Sequence, residues 1–194
     1  MINFDHKIEY YMNLENFDVL TDNVRKKLNK LKPFSAPGPD GLRPSLLKDL
    51  STDLCLPLAI MFQKSIDEQS VPKEWKNANI TPIFKKGSKF VAGNYRPVSL
   101  TSVICKVMES LIRDKIVDHL NKYELILPTQ HGFMNRRSCL TNLLEYLEKL
   151  TELVDEGNCV DVIYLDFAKA FDKCSHLKLS VLLEAHGMAQ CHFV

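Results

Sequence analysis

Asn79-Ile-Thr-Pro-Ile-Phe84, then Lys85-Lys-Gly-Ser-Lys89, then Tyr95-Arg-Pro-Val-Ser-Leu100 form the stretch that decides the fold of this 194-residue chain. Its outer parts are rich in β-branched and aromatic residues and its middle sets a glycine among cations, which reads as strand, basic turn and returning strand. On both sides the apolar residues change to helical spacing. From Thr21, Val24, Leu28 and Leu31 recur until Pro33 stops the run. Pro44 opens a second helix with Leu46, Leu47 and Leu50, and a third covers Leu56 to Glu68, ended by Val71-Pro72. Ser102 caps a helix whose apolar face holds Val103, Val107, Leu111 and Leu120. A further helix runs from about Ser138 to Glu156, closed by Gly157, with Leu140, Leu143, Leu144, Leu147, Leu150 and Val154 in one stripe. The heptads do not continue, so that stripe reads as core rather than as a coiled-coil face. Helices around a hairpin make the fold class α+β.

Hydrophobic residues at 45% and charged residues at 25% exclude a disordered or collagen-like chain and allow a buried core. The longest apolar run, Leu54 to Phe62, is broken by Pro57 and is far short of the roughly 20 residues of a membrane span. Asp5, Lys7 and Glu9 interrupt the start where a secretory signal needs apolar residues, so an intracellular protein with no membrane partner is expected. The formal charge of +1 hides a segregation. Residues 71–115 hold nine Lys/Arg against three Asp/Glu, and no acidic residue lies between Glu74 and Glu109. Lys76, Lys85, Lys86, Lys89, Arg96 and Lys106 fall in that gap, as a phosphate-binding surface or a plain solvated basic face would have them.

The six cysteines, Cys55, Cys105, Cys139, Cys159, Cys174 and Cys191, are at least fifteen residues apart and make none of the close pairs that zinc sites use. They read as reduced, small, buried or half-buried side chains. Ser35-Ala-Pro-Gly-Pro-Asp-Gly41 reads as a tight, rigid turn. Cys159-Val-Asp-Val-Ile-Tyr-Leu-Asp166 reads as a strand buried on at least one face, with Asp166 on the face of Val162 and Tyr164. A carboxylate there is costly unless paired, hydrogen-bonded or bound to a cation. Beside a phosphate-binding stripe, a magnesium ligand is favoured over a capping carboxylate, and Asp172 follows six residues on.

Four blocks now line up in order. They are Ser35-Ala-Pro-Gly-Pro-Asp-Gly-Leu42; Ile80-Thr-Pro-Ile-Phe-Lys-Lys-Gly87 with Asn94-Tyr-Arg-Pro-Val-Ser-Leu100; Gln130-His-Gly-Phe133 with Arg137-Ser-Cys139; and Tyr164-Leu-Asp-Phe-Ala-Lys-Ala-Phe-Asp172. Over roughly residues 20–188 the chain resembles the reverse transcriptase, an RNA-directed DNA polymerase, of non-LTR retrotransposons, most of all the jockey type. The resemblance implies right-hand polymerase fingers over residues 21–155, made of helices plus a basic hairpin. It implies the start of a truncated palm over residues 156–194, whose first strand ends at Asp166, and leaves residues 1–20 unassigned.

The resemblance also distributes roles. Asp166 matches the family's first metal-binding aspartate, and the backbone carbonyl of Phe167 would join it on Mg2+ or Mn2+. Main-chain amides near Lys169 and Ala170 would meet the triphosphate of an incoming deoxynucleotide. Phe171 matches the ring that blocks a ribose 2′-hydroxyl. Arg96 matches the arginine that stacks over the nucleotide and grips its phosphates, with Lys85 or Lys86 as its companion. Lys89 belongs to the same cationic surface. Gln130, His131, Gly132 and Phe133 match the block that lies against RNA template and DNA primer, with His131 a packing or nucleic-acid contact rather than a general base, and Arg137 would meet template phosphate. The family implies a cytoplasmic ribonucleoprotein and the nucleus.

The resemblance implies nucleotidyl transfer with two cations roughly 3.5–4 Å apart. A Tyr-Ala-Asp-Asp-like hairpin lies further past Asp166 than the 28 residues present here, and the chain has no Asp-Asp pair. This chain alone is therefore expected to be inactive, with activity belonging to the intact protein. The alternative is a non-catalytic module, derived from such an element, that binds RNA or single strands.

Overall fold

The structure, a computed structural model, describes residues 12–13, 17–167, 170 and 173–189. Its elements in chain order are β1 (Met12–Asn13), α1 (Thr21–Asn29), α2 (Pro44–Asp49), α3 (Ser51–Asp67), β2 (Ala78–Phe84), β3 (Tyr95–Thr101), α4 (Val103–Lys122), α5 (Cys139–Asp155), α6 (His176–Ala185) and β4 (Met188–Ala189). Single 3-10 turns lie at Lys73–Lys76 and Ala92–Asn94. The mixture of helices with small two-stranded sheets is α+β, as the change of period along the sequence implies. The chain divides into two units, residues 1–119 with 180–194, and residues 120–179.

The first unit holds the core. Val24 and Leu28 of α1 are fully buried, as is Phe62 of α3, with Leu47, Leu58, Ala59 and Ile66 around them. The Trp75 ring meets Phe62 edge-on, 5.8 Å between centroids and 69° between planes, a favoured aromatic geometry. From α4, Val103, Val107 and Leu111 repeat every four residues and enter the same core. Lys27 reaches across to the Asp114 carboxylate and donates to the Ser110 carbonyl at 3.3 Å, which ties α1 to α4. Burial raises the Asp114 carboxyl, but hydrogen bonds from Lys27 and Arg113 outweigh it and leave the group below the usual range. The third helix begins at Ser51, five residues before the start expected from Leu56, so Pro57 sits inside it. Pro57 and Asp53 are both exposed, and the Asp53 carbonyl freed by the missing N–H faces water, which lowers the cost of the interruption.

In the second unit α5 begins as its sequence implies. Ser138 Oγ accepts from Thr141 N and Thr141 Oγ1 accepts from Ser138 N, a reciprocal cap. Gly157, at φ +83°, closes the helix while Asn158 N–H reaches back to the Leu153 carbonyl at 3.0 Å. The expected burial of its stripe does not hold, because no α5 residue is buried and Leu140, Leu143, Leu144, Leu147 and Val154 are 43–63% exposed. Nor do residues 159–166 form the expected strand. They are unpaired, with Ile163, Tyr164 and Leu165 more than 80% exposed. A strand needs a ladder partner for its backbone groups, and none of the described residues supplies one here. A Tyr146–Tyr164 hydroxyl contact of 3.1 Å links this segment to α5 and raises the Tyr146 pKa.

The thiols divide the same way. Cys55 and Cys105 are buried, whereas Cys139, Cys159 and Cys174 are exposed, against the expectation of burial. Burial, and then the neighbouring Glu109 carboxylate, push the Cys105 thiol up to about 12.

Candidate nucleic-acid interface

The basic stripe folds as the hairpin its sequence implies. β2 and β3 pair antiparallel with Ile80 opposite Ser99, Pro82 opposite Pro97 and Phe84 opposite Tyr95. Lys85 N–H donates to the Asn94 carbonyl at 2.8 Å, so that rung is hydrogen-bonded. Alternation makes the Pro82–Pro97 rung a non-bonded one, where two missing N–H groups cost the ladder nothing. Those N–H positions would have pointed to the open edges, and two prolines there discourage pairing with another strand. The same alternation puts Lys85 on the face of Ile83 and Arg96, while Lys86 begins the turn. All residues from Thr81 to Gly93 are exposed, as is Arg96. Phe84 and Tyr95 meet edge-on at 5.5 Å, and the Lys89 ammonium lies 5.8 Å from the Phe84 ring centre.

The base of the hairpin is set by a residue whose role the sequence reading did not assign. A Cβ on Gly38 would lie 2.6 Å from both the carbonyl carbon and oxygen of Thr101 and 2.7 Å from Ser102 N. The Ser35–Gly41 turn thus seats its buried glycine directly on the backbone where β3 passes into α4. Leu42 N–H donates to Asp40 Oδ1 at 3.2 Å and Gly41 N–H to the Gly38 carbonyl at 3.1 Å, which holds the turn in shape. Pro-Gly-Pro was the available signal, since a glycine between two prolines marks either a turn or a close approach, and here it is both.

In the second unit the Gln130–Arg137 block is anchored by His131. Its side chain is only 8% exposed, with Nδ1 3.0 Å from Thr141 Oγ1 and Nε2 2.6 Å from Glu145 Oε2. Thr141 Oγ1 donates to the Ser138 carbonyl, so it accepts from Nδ1. Both ring nitrogens are thus taken up within the protein, one by a hydroxyl and one by a carboxylate. Glu145 and Thr141 were not legible as partners, because fourteen and ten residues separate them from His131 and neither spacing follows one element. Gln130 Nε2 donates to the Gly132 carbonyl at 3.0 Å, and Arg137 to the Pro128 carbonyl. Gln130 and Arg137 line one cleft of about 460 Å3 with Leu120, Glu124, Ile126 and Met134. Phe133 is 97% exposed at φ +62°, a left-handed conformation unusual for a bulky side chain.

Asp166 and Phe167 lie exposed at the end of the unpaired segment, and Ala170 is in a turn. Lys169, Phe171 and Asp172 lie outside the described residues. Among the described residues no group of three or more His, Cys, Asp or Glu could hold a metal ion. Mg2+ is bound through several oxygens, so one exposed carboxylate and a backbone carbonyl do not by themselves fit the cations the resemblance implies. No helix among the described residues is long and apolar enough to cross a membrane.

Residues 83–193, from the hairpin onward, match the family described as reverse transcriptase (RNA-dependent DNA polymerase). The chain is 28% identical over 168 residues to the RNA-directed DNA polymerase from mobile element jockey of Drosophila melanogaster, and 29% identical over 174 residues to its counterpart from Drosophila funebris. It is 26% identical over 166 residues to a Drosophila melanogaster protein named Probable RNA-directed DNA polymerase from transposon BS. These alignments cover 85–86% of the chain, which spans only 18% of the length of each relative. With the hairpin, the Gln130 block and Asp166 all inside aligned sequence, the chain belongs to the reverse transcriptase family and is similar within it to the polymerases of non-LTR retrotransposons such as jockey.

Proposed function

We propose that this chain is the nucleic-acid-holding part of a retrotransposon RNA-directed DNA polymerase, with residues 21–155 as fingers and residues 156–194 as the start of the palm. The observation that carries the reading is the exposed hairpin, whose cations stand in a window free of acidic residues from Lys76 to Met108. A flat guanidinium at Arg96 and an ammonium at Lys85 on one ladder face suit the phosphates of an incoming deoxynucleoside triphosphate, and this favours Lys85 over Lys86 as the companion lysine. Lys86 and Lys89 extend the cationic surface toward nucleic acid. In the other unit, Gln130, Gly132, Phe133 and Arg137 present the block expected against template and primer, while His131, clamped by Thr141 and Glu145, positions that block rather than touching the strand. Phe171 is the proposed selector against a ribose 2′-hydroxyl.

The reverse transcriptase family uses divalent metal ions. Asp166 and the Phe167 carbonyl would contribute to holding Mg2+ or Mn2+ only beside further carboxylates, so no transfer step is assigned to this chain by itself. It is expected to bind single-stranded RNA yet incorporate no nucleotide on a primed RNA template with either metal. RNA-templated DNA synthesis that Asp166→Ala abolishes would overturn the division of labour. Failure to bind any single strand would overturn the reading as a whole.

A further inference from the structure

At the tip of the hairpin Phe90 is 100% exposed, yet the backbone around it is not slack. Phe90 N–H donates to Ser88 Oγ at 3.3 Å, and the Ser88 carbonyl accepts from Val91 N–H at 3.3 Å and Asn94 Nδ2 at 2.8 Å. Tyr95 Oη donates to the Lys89 carbonyl at 2.9 Å, immediately before Phe90. Gly87 turns the chain at φ +87°, and a Cβ there would come within 2.7 Å of Asn94 Nδ2. Hydrogen bonds therefore fix both sides of a residue whose ring touches only solvent. A pre-ordered, uncovered aromatic suits a binding surface, because little freedom remains to be lost when a partner arrives.

The surroundings specify the partner's chemistry. Lys85, Lys86 and Lys89 lie within five residues of Phe90 along the hairpin connection, all exposed, and no acidic residue occurs from Trp75 to Met108. The matching partner carries regularly spaced negative charge together with flat apolar faces, and single-stranded nucleic acid has both. We propose that Phe90 stacks on an unpaired base of a single strand whose phosphates are held by Lys86 and Lys89, its nearest cations along the chain. This rests on the reading of the hairpin as a nucleic-acid surface and deepens it by naming the ring that meets the base. An open π-face stacks on any base, so the contact adds affinity without sequence preference.

The test measures binding of the full chain to three fluorescent probes: a short oligothymidylate, the same backbone with abasic sites, and an oligoglutamate of equal charge. Phe90→Ala is expected to weaken the base-bearing strand about tenfold, within the range measured for lost base–aromatic stacking, and to leave the abasic strand within about twofold. Phe90→Trp is expected to restore affinity, with indole fluorescence quenched by the base-bearing strand alone. The ring is uncovered, so neither variant disturbs packing, and an unchanged thermal melt verifies this. Equal weakening of base-bearing and abasic strands, or none on either, overturns the stacking contact. An equal loss on oligoglutamate overturns the nucleic-acid assignment in favour of an acidic protein partner. Lys85, Lys86 and Lys89 replaced together by Ala separate the two layers. If that variant loses affinity while Phe90→Ala is silent, only the stacking fails; if it binds as the parent does, the hairpin reading and the stacking fail together.

Discussion

Helices α1 and α5 carry the same kind of message in sequence, apolar residues returning every three or four positions, and meet opposite fates. Val24 and Leu28 of α1 are fully buried against α3, whereas the leucines of α5 are about half exposed. The difference is not in the helices, both of which form and terminate where their residues direct. Amphipathic spacing says which face is apolar, while burial requires a second surface to cover that face. In the first unit α3 and α4 provide it within the aligned segment, and among the described residues of the second unit nothing does so for α5.

The largest effect expected from this contrast is thermodynamic. Phe62→Ala removes a fully buried ring that also packs on Trp75, and should cost about 3–5 kcal/mol. Leu143→Ala, on the exposed stripe, should change stability by no more than about 0.5 kcal/mol. Urea denaturation of both variants measures the difference, and similar losses would mean that the α5 face is covered in solution.

Next comes the turn that seats the hairpin. Gly38→Ala forces a methyl into the Thr101 and Ser102 backbone and should cost about 1–3 kcal/mol through overpacking. Gly93→Ala, within the hairpin connection and with nothing within 4 Å of the added carbon, should be close to neutral. A Gly38→Ala protein as stable as the Gly93→Ala protein would mean that the turn does not rest on the base of the hairpin.

The smallest effect is electrostatic and belongs to the packed unit. The Asp114 carboxyl lies below its unfolded value, so its pairing with Lys27 stabilises the fold above the unfolded pKa, and that contribution is lost as pH falls through the folded value. Asp114 is about half exposed, which limits the contribution to about 1 kcal/mol or less. Asp114→Asn should therefore flatten the acid side of the stability profile slightly and leave the profile above pH 6 parallel to that of the parent. An unchanged acid limb would remove the pair from the account.

Much of this architecture was legible because its signals are local. Proline and glycine punctuate α1, α2 and the hairpin, Ser138 and Gly157 mark the ends of α5, and the β-branched and aromatic residues from Asn79 to Phe84 announce β2. What escaped the sequence reading depends on tertiary placement. The segment before Asp166 has the composition of a buried strand, but composition does not supply a ladder partner. The His131–Glu145–Thr141 clamp joins residues from a loop and a helix, and the contact of Gly38 with Thr101 spans more than sixty residues. Of the candidate site, the residue types and their order were readable, and so was the hairpin that carries Lys85, Lys86, Lys89 and Arg96. The proposed preference for Lys85 over Lys86 draws on the register of the ladder, which the sequence does not state.

The central claim is that cations placed on the hairpin, rather than positive charge in general, bind nucleic acid. It is tested by salt-titrated fluorescence anisotropy on a single-stranded RNA, comparing the parent with two triple variants. Each phosphate contact contributes about −0.7 to the slope of log affinity against log salt, so three to five contacts give roughly −2 to −3.5. Replacing Lys85, Lys86 and Lys89 by Ala should flatten that slope by up to about two units, whereas replacing Lys30, Lys64 and Lys149, exposed but outside the stripe, should leave it nearly unchanged. If both triple variants keep the parent's slope and affinity, the hairpin is a solvated basic face and the account is contradicted.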